Sequence, residues 1–344
     1  MPETKKLILS LDGGGIRGAA SARFLHLVDE KLQAEHGKTL RDCVDFYAGT
    51  STGGIIALAL ATTDLSIKEI STLYNRQNAK HIFLENKGWF EIDGINAPKY
   101  EAKGKTKVLK DKFGAAKIGD VPDGKHVLAV AYDVERRMPE VIKSTEREFI
   151  RLRSSDVADA SSAAPTYFPT HATPIHGNND ESWLIDGGVT ANNPSMCAIA
   201  EAMRIWGDLN LGNLRVLSLG TGYRTRKING PESRYWGAIG WFGQGHILDV
   251  LTDERVVAYQ AKSILRPGNF IRVNSEMRRQ AGLPNPPDDA MDDISNKNIN
   301  RLKEMGEFWF EQYGKETVEF LNGTYTGPSL DRIDPETGLP VTYP

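Results

Sequence analysis

The stretch that decides the fold of this chain is Gly49-Thr50-Ser51-Thr52-Gly53. Apolar residues 44–48 precede it and apolar residues 55–60 follow it, a pattern that predicts a strand, a sharp turn and a buried helix. Glycines tolerate crowded and strained backbone, so Gly49 and Gly53 would form a nucleophile elbow that exposes the Ser51 hydroxyl at the strand end. Ser51 is therefore a candidate nucleophile. The alternative is a turn that only caps the following helix.

A second informative stretch is the glycine-rich Asp12-Gly13-Gly14-Gly15-Ile16-Arg17-Gly18. It follows the short apolar residues 7–11 and precedes a pattern typical of an amphipathic helix. Successive backbone N–H groups near a helix N-terminus stabilise negative charge.

This loop has two interpretations. Gly13, Gly15 and Gly18 match the spacing of a Rossmann-like dinucleotide-binding loop, which also requires an acidic residue at the end of the next strand. Here that strand ends in the serine turn instead. An oxyanion hole opposite Ser51 explains both stretches together, so we favour it over dinucleotide binding.

A third stretch ends in a carboxylate. The apolar residues 183–185 lead into Asp186, and Gly187 and Gly188 follow. Open parallel sheets place their sites at the carboxyl ends of strands, which makes Asp186 a candidate partner for Ser51. The alternative is a plain Asp-Gly turn. Asn193 and Pro194 then have the N-cap and first-position chemistry that begins a helix.

Composition sets the class of protein. With 344 residues, 40% hydrophobic and 25% charged, the chain predicts a globular protein with one catalytic domain. A net charge of -3 argues against a nucleic-acid polymer as partner. Cys43 and Cys197, both in apolar stretches, indicate neither a disulfide scaffold nor a thiolate metal site, and the histidines show no metal-binding spacing. No signal segment and no run of 18 apolar residues is present, so we expect a cytoplasmic protein that is at most peripheral to a membrane.

Taken together, four stretches resemble the patatin-like phospholipase family, and they occur in family order: residues 12–18, 49–53, 159–165 (Asp-Ala-Ser-Ser-Ala-Ala-Pro) and 186–194. The resemblance covers about residues 7–222. It implies a three-layer α/β/α fold with a mainly parallel central sheet. Residues 1–222 would form the catalytic core, and residues 223–344 a C-terminal elaboration packed on it rather than an independent domain.

The resemblance also implies an activity. The chain would be a serine acyl hydrolase of the phospholipase A type that cleaves ester-linked fatty acids from membrane phospholipids. Ser51 would be the nucleophile and Asp186 its base. The oxyanion hole would be formed at Gly13, Gly14 and Gly15, with Arg17 bracing that loop or meeting a lipid phosphate. No metal or other cofactor is implied, and activity is expected to be independent of calcium.

A serine-histidine-aspartate enzyme is the rival interpretation. The order Ser51, Asp186, His246 matches that of the α/β-hydrolases. However, that fold normally has several strands before its serine, whereas one clear strand precedes the elbow here. His246 also lies in a glycine- and aromatic-rich segment that we cannot place at a strand end. Replacing His246 by alanine tests this interpretation. A Ser51-Asp186-His246 triad would lose nearly all turnover, whereas a dyad of Ser51 and Asp186 would keep it.

The region after residue 222 carries two hypotheses. The aromatic, glycine-rich residues 235–243, with Trp241 and Phe242, would form a mobile wall of the acyl pocket or touch the inner membrane, and core packing is the alternative. Some compact bacterial patatin-like enzymes of similar layout are effectors switched on by a cyclic dinucleotide in defence against phage. If this chain binds such an activator, Arg224 and Arg226 would grip phosphates and Tyr223 would stack on a base. A solvated basic face is the ordinary interpretation of these arginines.

Overall fold

The computed structural model describes residues 5–88, 96–176, 181–243, 250 and 252–343. The strands of this part of the chain are β1 Lys6–Leu11, β2 Phe46–Thr50, β3 His126–Asp133, β4 Met138–Lys143, β5 His171–Thr173, β6 Ser182–Asp186, β7 Leu214–Leu219, β8 Phe270–Val273, β9 Ser329–Ile333 and β10 Pro340–Tyr343. The helices are α1 Gly18–His36, α2 Leu40–Cys43, α3 Thr52–Thr62, α4 Ile67–Ser71, α5 Arg76–Ile82, α6 Ala102–Phe113, α7 Ser154–Ser161, α8 Gly188–Ala191, α9 Ser195–Ile205, α10 Gly230–Ser233, α11 Ala238–Gly243, α12 Arg255–Ile264 and α13 Asn296–Asn322.

All the strands belong to one sheet, in the order β10-β9-β8-β7-β1-β2-β3-β6-β5, with β4 also paired to β3. From β9 across to β3 every pairing is parallel. The pairings of β3 with β4 and β6, of β5 with β6, and of β9 with β10 are antiparallel. The sheet is therefore mainly parallel, as predicted, but its β3–β6 end is antiparallel.

Helices cover both faces of the sheet. Because successive side chains of a strand point to opposite faces, Leu7, Leu9 and Leu11 of β1 enter one hydrophobic cluster and Ile8 enters the other. The larger cluster includes buried residues of α1, α3 and α13, and the smaller one includes buried residues of α9 and α12. This arrangement confirms the three-layer α/β/α prediction.

The chain after residue 222 adds β8, β9 and β10 to the same sheet, and β8 pairs in parallel with β7. The long C-terminal helix α13 packs along α1 and buries Leu302, Met305 and Trp309. The proposed boundary at residue 222 stays a prediction.

Residues 66–83, whose apolar pattern predicts helical structure, form two helices joined by a 3₁₀ turn at Thr72–Tyr74. Each helix has its own cap: Ser66 accepts from the Glu69 N–H, and Asn75 accepts from the Asn78 N–H. The internal Asn75 adopts extended backbone, which ends the first segment and begins the second. None of the helices in the described ranges is long and apolar enough to cross a membrane.

Candidate active site

The turn after β2 holds Ser51 in a strained conformation. Ser51 has φ 55° and ψ -124°, a positive φ that residues with a side chain rarely adopt. The flanking glycines allow close backbone packing: a Cβ on Gly53 would lie 2.1 Å from the carbonyl oxygen of Leu11, and one on Gly49 would lie 2.3 Å from that of Gly53. This local geometry fits the predicted nucleophile elbow, and Ser51 lies at the N-terminus of α3.

The glycine-rich loop after β1 lies beside the elbow. A Cβ on Gly13 would come within 3.2 Å of the Ser51 Cβ. The Gly13 N–H donates to the Asn192 carbonyl oxygen at 3.1 Å, and the Ile16 N–H donates to the Met291 carbonyl oxygen at 2.9 Å. The N–H groups of Gly13 and Ile16 are therefore already used in hydrogen bonds, which fix the loop against the segments that contain Asn192 and Met291. This disfavours binding of a pyrophosphate by these two N–H groups.

Two donors between them remain for a ligand. Within the described part of the chain, the N–H groups of Gly14 and Gly15 donate to no other backbone carbonyl. The Arg17 side chain donates from Nε to the Gly14 carbonyl oxygen at 3.2 Å, so it braces the loop. Gly14 and Gly15 thus supply the free N–H groups of this loop, while Gly13 and Arg17 hold its shape.

Asp186 reaches the elbow from the antiparallel end of the sheet. It lies at the carboxyl end of its strand, as predicted, but β6 runs antiparallel to β3 and not parallel as in an open parallel sheet. The register places Asp186 beside Ala131 of β3, while Thr50 of β2 lies beside Val130. Because β6 ends at the level where β2 ends, Asp186 and Ser51 meet although their strands run in opposite directions.

The Asp186 carboxylate is buried and polarised. The Gly188 N–H donates to its Oδ1 at 2.7 Å. Burial raises the pKa of Asp186 from 3.8 to about 6, and a hydrogen bond with Ser51, the Gly188 N–H and the charge of Lys105 partly oppose that rise. A carboxyl with a pKa of about 6 is a stronger base than an exposed aspartate, yet it is mostly ionised at neutral pH.

Ser51 and Asp186 lie in the wall of one cavity with about 720 Å³ of empty volume, part of it open to solvent. Gly15 lies in the same wall. The other lining side chains are mainly apolar and include Ile16, Ile55, Leu73, Ile82, Phe83, Leu109, Tyr167, Phe168 and Met291. A mainly apolar cavity with a hydroxyl and a carboxylate in its wall suits an acyl chain attached to a polar ester.

Comparison with known proteins agrees with this geometry. A family model described as patatin-like phospholipase matches residues 9–199, which is more than half of the chain. The chain belongs to the patatin-like phospholipase family. This membership supports a lipid acyl hydrolase activity, and patatin-like phospholipases act without a cofactor.

Several plant patatin-like proteins are similar over most of their length. Patatin-like protein 2 of Arabidopsis thaliana is 31% identical over 309 residues, covering 78% of this chain and 75% of the relative. Patatin-like protein 2 of Oryza sativa subsp. indica is 27% identical, covering 98% and 88%. Patatin-05 of Solanum tuberosum is 27% identical, covering 87% and 82%. The crystal structure of VipD from Legionella pneumophila has a TM-score of 0.39 at 14% identity over 89% of this chain and 67% of that one, a likeness too weak to carry weight.

The third motif of this patatin-like chain, residues 159–165, joins the two candidate catalytic residues. The Ser51 N–H donates to Ser161 Oγ at 3.0 Å, and Ser161 Oγ donates to the Val130 carbonyl oxygen at 2.6 Å. The Asp186 N–H donates to the Ala163 carbonyl oxygen at 3.0 Å. We call residues 159–163 the bridge segment, because it contacts the backbone of both residues. In the sequence, this motif contributes to the family resemblance, but its contacts with Ser51 and Asp186 were not predicted.

Sequence reasoning also missed Lys105. This residue of α6 is only 2% exposed and lies in the wall of the cavity with Ser51 and Asp186. A signal existed: Lys105 lies three and four residues before Val108 and Leu109, on the apolar face of the helix. A lysine on the apolar face of a helix is expected to be buried, and a buried ammonium group requires hydrogen-bond acceptors or an opposite charge beside it.

The residues proposed to bind a cyclic dinucleotide, Tyr223, Arg224 and Arg226, have partners within the protein. Arg224 and Arg226 both pair with Asp289, at 3.4 and 2.6 Å, and the Tyr223 ring lies 5.9 Å from the Arg332 guanidinium. These partners neutralise part of the charge that would attract phosphates. Nucleotide binding at this surface stays a prediction.

His246 and residues 89–92, which include Trp89 and Phe90, fall outside the described residues, as does the side chain of Phe242. Among the histidines that are described, His171 lies 3.5 Å from Asp159 and His176 lies 3.5 Å from Glu140. In the part of the chain that the structure describes, no group of three or more His, Cys, Asp or Glu side chains is placed to hold a metal ion.

Proposed function

We propose that this patatin-like chain is a phospholipase A type enzyme that releases fatty acids from phospholipids with a Ser51–Asp186 dyad. The single observation that carries the proposal is that Ser51, Asp186 and Gly15 line one apolar cavity, beside a loop in which the Gly14 and Gly15 N–H groups donate to no described backbone carbonyl. The strained elbow, the buried carboxylate and the unused N–H donors each supply one part of acyl transfer. The family assignment supports the reaction class.

The reaction proceeds in two halves. Ser51 Oγ attacks the ester carbonyl carbon while its proton passes to Asp186, and the resulting oxyanion accepts hydrogen bonds from the Gly14 and Gly15 N–H groups. The tetrahedral intermediate collapses, the C–O bond to the glycerol breaks, and Asp186 returns the proton to the leaving oxygen. Water, deprotonated by Asp186, then attacks the acyl-enzyme; the bond from Ser51 Oγ to the acyl carbon breaks, Asp186 returns the proton to Ser51 Oγ, and the fatty acid is released.

Contact with a membrane surface belongs to the same proposal, since the substrate resides in a bilayer. Tyr235 is 85% exposed, and the Trp236 and Trp241 rings pack edge to face with their centroids 5.6 Å apart. Aromatic side chains favour the bilayer interface, so residues 235–241 are the proposed contact at the inner membrane. Replacing Trp241 and Phe242 by serine should weaken vesicle binding, and unchanged binding and hydrolysis would remove this contact from the account.

The test is product analysis with phospholipid vesicles and a chelator in the buffer. Wild-type protein should release free fatty acid and lysophospholipid, and Ser51→Ala should release neither while keeping its thermal unfolding profile. Matched Ser155→Ala, at a buried serine of α7, should keep its activity. Equal product release by wild type and Ser51→Ala would refute the proposed nucleophile, and a requirement for calcium would refute the cofactor-free mechanism.

A further inference from the structure

Lys105 is a buried cation that the reaction described above does not use. Its Nζ lies 3.0 Å from Asp159 Oδ1, 3.0 Å from the Asp159 carbonyl oxygen and 2.8 Å from the Ser162 carbonyl oxygen. It also lies 3.2 Å from Ser162 Oγ and 4.4 Å from the centroid of the Phe168 ring. This is a set of contacts made within the wall of the catalytic cavity, not on the protein surface.

The contacts identify the charge state of Lys105. A carboxylate oxygen and two carbonyl oxygens can only accept hydrogen bonds, and an ammonium group has three N–H bonds to donate. A neutral amine has two, and would turn its lone pair toward one of these acceptors. The Ser162 hydroxyl donates to the Ala158 carbonyl oxygen at 2.7 Å, so it too is an acceptor toward Lys105. The aromatic face of Phe168 favours a cation as well.

The position of Lys105 gives this charge two consequences. First, it holds the carbonyl groups of Asp159 and Ser162, which lie in the bridge segment that contacts the backbone of Ser51 and Asp186. Second, it places a positive charge in the same cavity wall as the Asp186 carboxylate. In a site with little water, such a charge favours the ionised form of a nearby acid.

We propose that Lys105 is a positioning residue for acyl transfer, whose buried ammonium keeps Asp186 ionised and holds the bridge segment that aligns Asp186 with Ser51. This inference rests on the proposed function. It assigns to a side chain that touches no reacting atom the pH at which the enzyme becomes active.

The titratable and charged groups around Lys105 and Asp186 are consistent with this role of Lys105. Lys105 lowers the pKa of Asp186 against the larger effect of burial. Burial lowers the pKa of Lys105 itself, and the charges of Asp159 and Asp186 oppose that shift. The Thr106 hydroxyl and His171 Nδ1 also contact Asp159, at its Oδ2 and not at the Oδ1 that pairs with Lys105. Burial lowers the pKa of His171.

The test is the pH profile of kcat/KM for three variants beside wild type. Lys105→Met leaves the Asp159 carboxylate buried without its cation, so Lys105→Met/Asp159→Asn, which leaves no unpaired charge, is the second variant. Lys103→Met is the matched control, because this lysine of the same helix is exposed and pairs with Glu101. The acid limb should move upward by about one pH unit in both Lys105 variants and stay in place in the control.

A purely structural lysine would give a different result. In that case the Lys105 variants would lose amplitude while the midpoint of the acid limb stayed at the wild-type pH, and this outcome overturns the proposal. If Lys105→Met does not fold, the double variant decides alone. His171→Gln should leave the midpoint unchanged, and a shift equal to that of the Lys105 variants would assign the limb to His171 instead.

Failure of this inference is distinguishable from failure of the proposed function. Labelling by a fluorophosphonate probe that is present in wild type and absent in Ser51→Ala establishes the nucleophile without reference to Lys105. An unmoved acid limb together with such labelling would remove Lys105 from the mechanism and leave the dyad intact.

Discussion

The two halves of the sheet position the proposed catalytic groups in different ways. In the parallel half, β1 and β2 each end in a glycine-rich turn that leads directly into a helix, and these turns supply the N–H donors and Ser51. In the antiparallel half, β6 brings Asp186 to the same point through its register with β3. The first half builds its groups from local chain geometry, whereas the second depends on long-range pairing.

The bridge segment connects the halves. Ser161 accepts from the Ser51 N–H on one side and donates to Val130 of β3 on the other, and Ala163 accepts from the Asp186 N–H. The comparison teaches that the proposed nucleophile, Ser51, is held in a strained backbone conformation by its neighbours, whereas the proposed base, Asp186, is positioned by strand pairing and by burial.

The largest expected effect is the loss of the base from the antiparallel half. Asp186→Asn keeps the size of the side chain but cannot take the Ser51 proton. We expect kcat to fall on the order of 10³- to 10⁴-fold at pH 7.5, since a triad or dyad loses most of its power when one member is removed. Steady-state hydrolysis of a soluble ester measures it, with far-UV circular dichroism to show an unchanged fold. A loss of less than tenfold would separate Asp186 from the chemistry.

In the parallel half, the crowded elbow should not tolerate a larger residue. Gly53→Ala would place a Cβ 2.1 Å from the Leu11 carbonyl oxygen and 2.7 Å from that of Asp12, so backbone must move. We expect a loss of about 3 kcal/mol in the free energy of unfolding. Gly207→Ala, where a Cβ meets nothing within 4 Å, is the control. Equal denaturation midpoints for the two variants would contradict the close packing.

Ionised Asp186 should lower the stability of the fold at the pH values at which it acts as the base. The pKa of Asp186 is about 6 in the folded protein and 3.8 when the group is exposed. Protonated Asp186 therefore contributes its full stabilisation below pH 3.8, and this contribution is lost as the pH rises through 6. Asp186→Asn mimics the protonated form. It should therefore be more stable than wild type by about 1–3 kcal/mol at pH 8, with no difference at pH 3.5. Urea unfolding at both values measures this, and an equal gain at both would refute the titration.

A smaller effect is expected from cutting the link between the halves. Ser161→Ala removes the acceptor of the Ser51 N–H and the donor to Val130. Slight misplacement of Ser51 should lower kcat about tenfold with little change in KM, because substrate binding in the apolar cavity is kept. The control is Ser155→Ala, at a buried serine of the same helix whose hydroxyl donates to the neighbouring Asp156. If Ser161→Ala behaves like its control, the bridge is not needed for alignment.

How much of this site could be predicted follows from the same comparison. The turns that carry Ser51 and Gly14–Gly15 could be predicted because, in each case, a strand, a turn and a helix lie next to each other in the sequence. The direction of β6 could not be predicted, because strand order and register depend on partners far along the chain. Lys105 was missed because the residues that make it special, Asp159 and Ser162, follow more than fifty positions later. The break at Asn75 was missed because its capping competes with an otherwise continuous apolar pattern.

The most direct test of the central claim, that Ser51 and Asp186 act as one dyad across the two halves of the sheet, is the rate of fluorophosphonate labelling of Ser51 between pH 4.5 and 8. In wild type the rate should fall as pH drops through about 6, where Asp186 takes up a proton. In Asp186→Asn it should be low and independent of pH. Labelling of Asp186→Asn at the wild-type rate and with the wild-type pH profile would contradict the dyad.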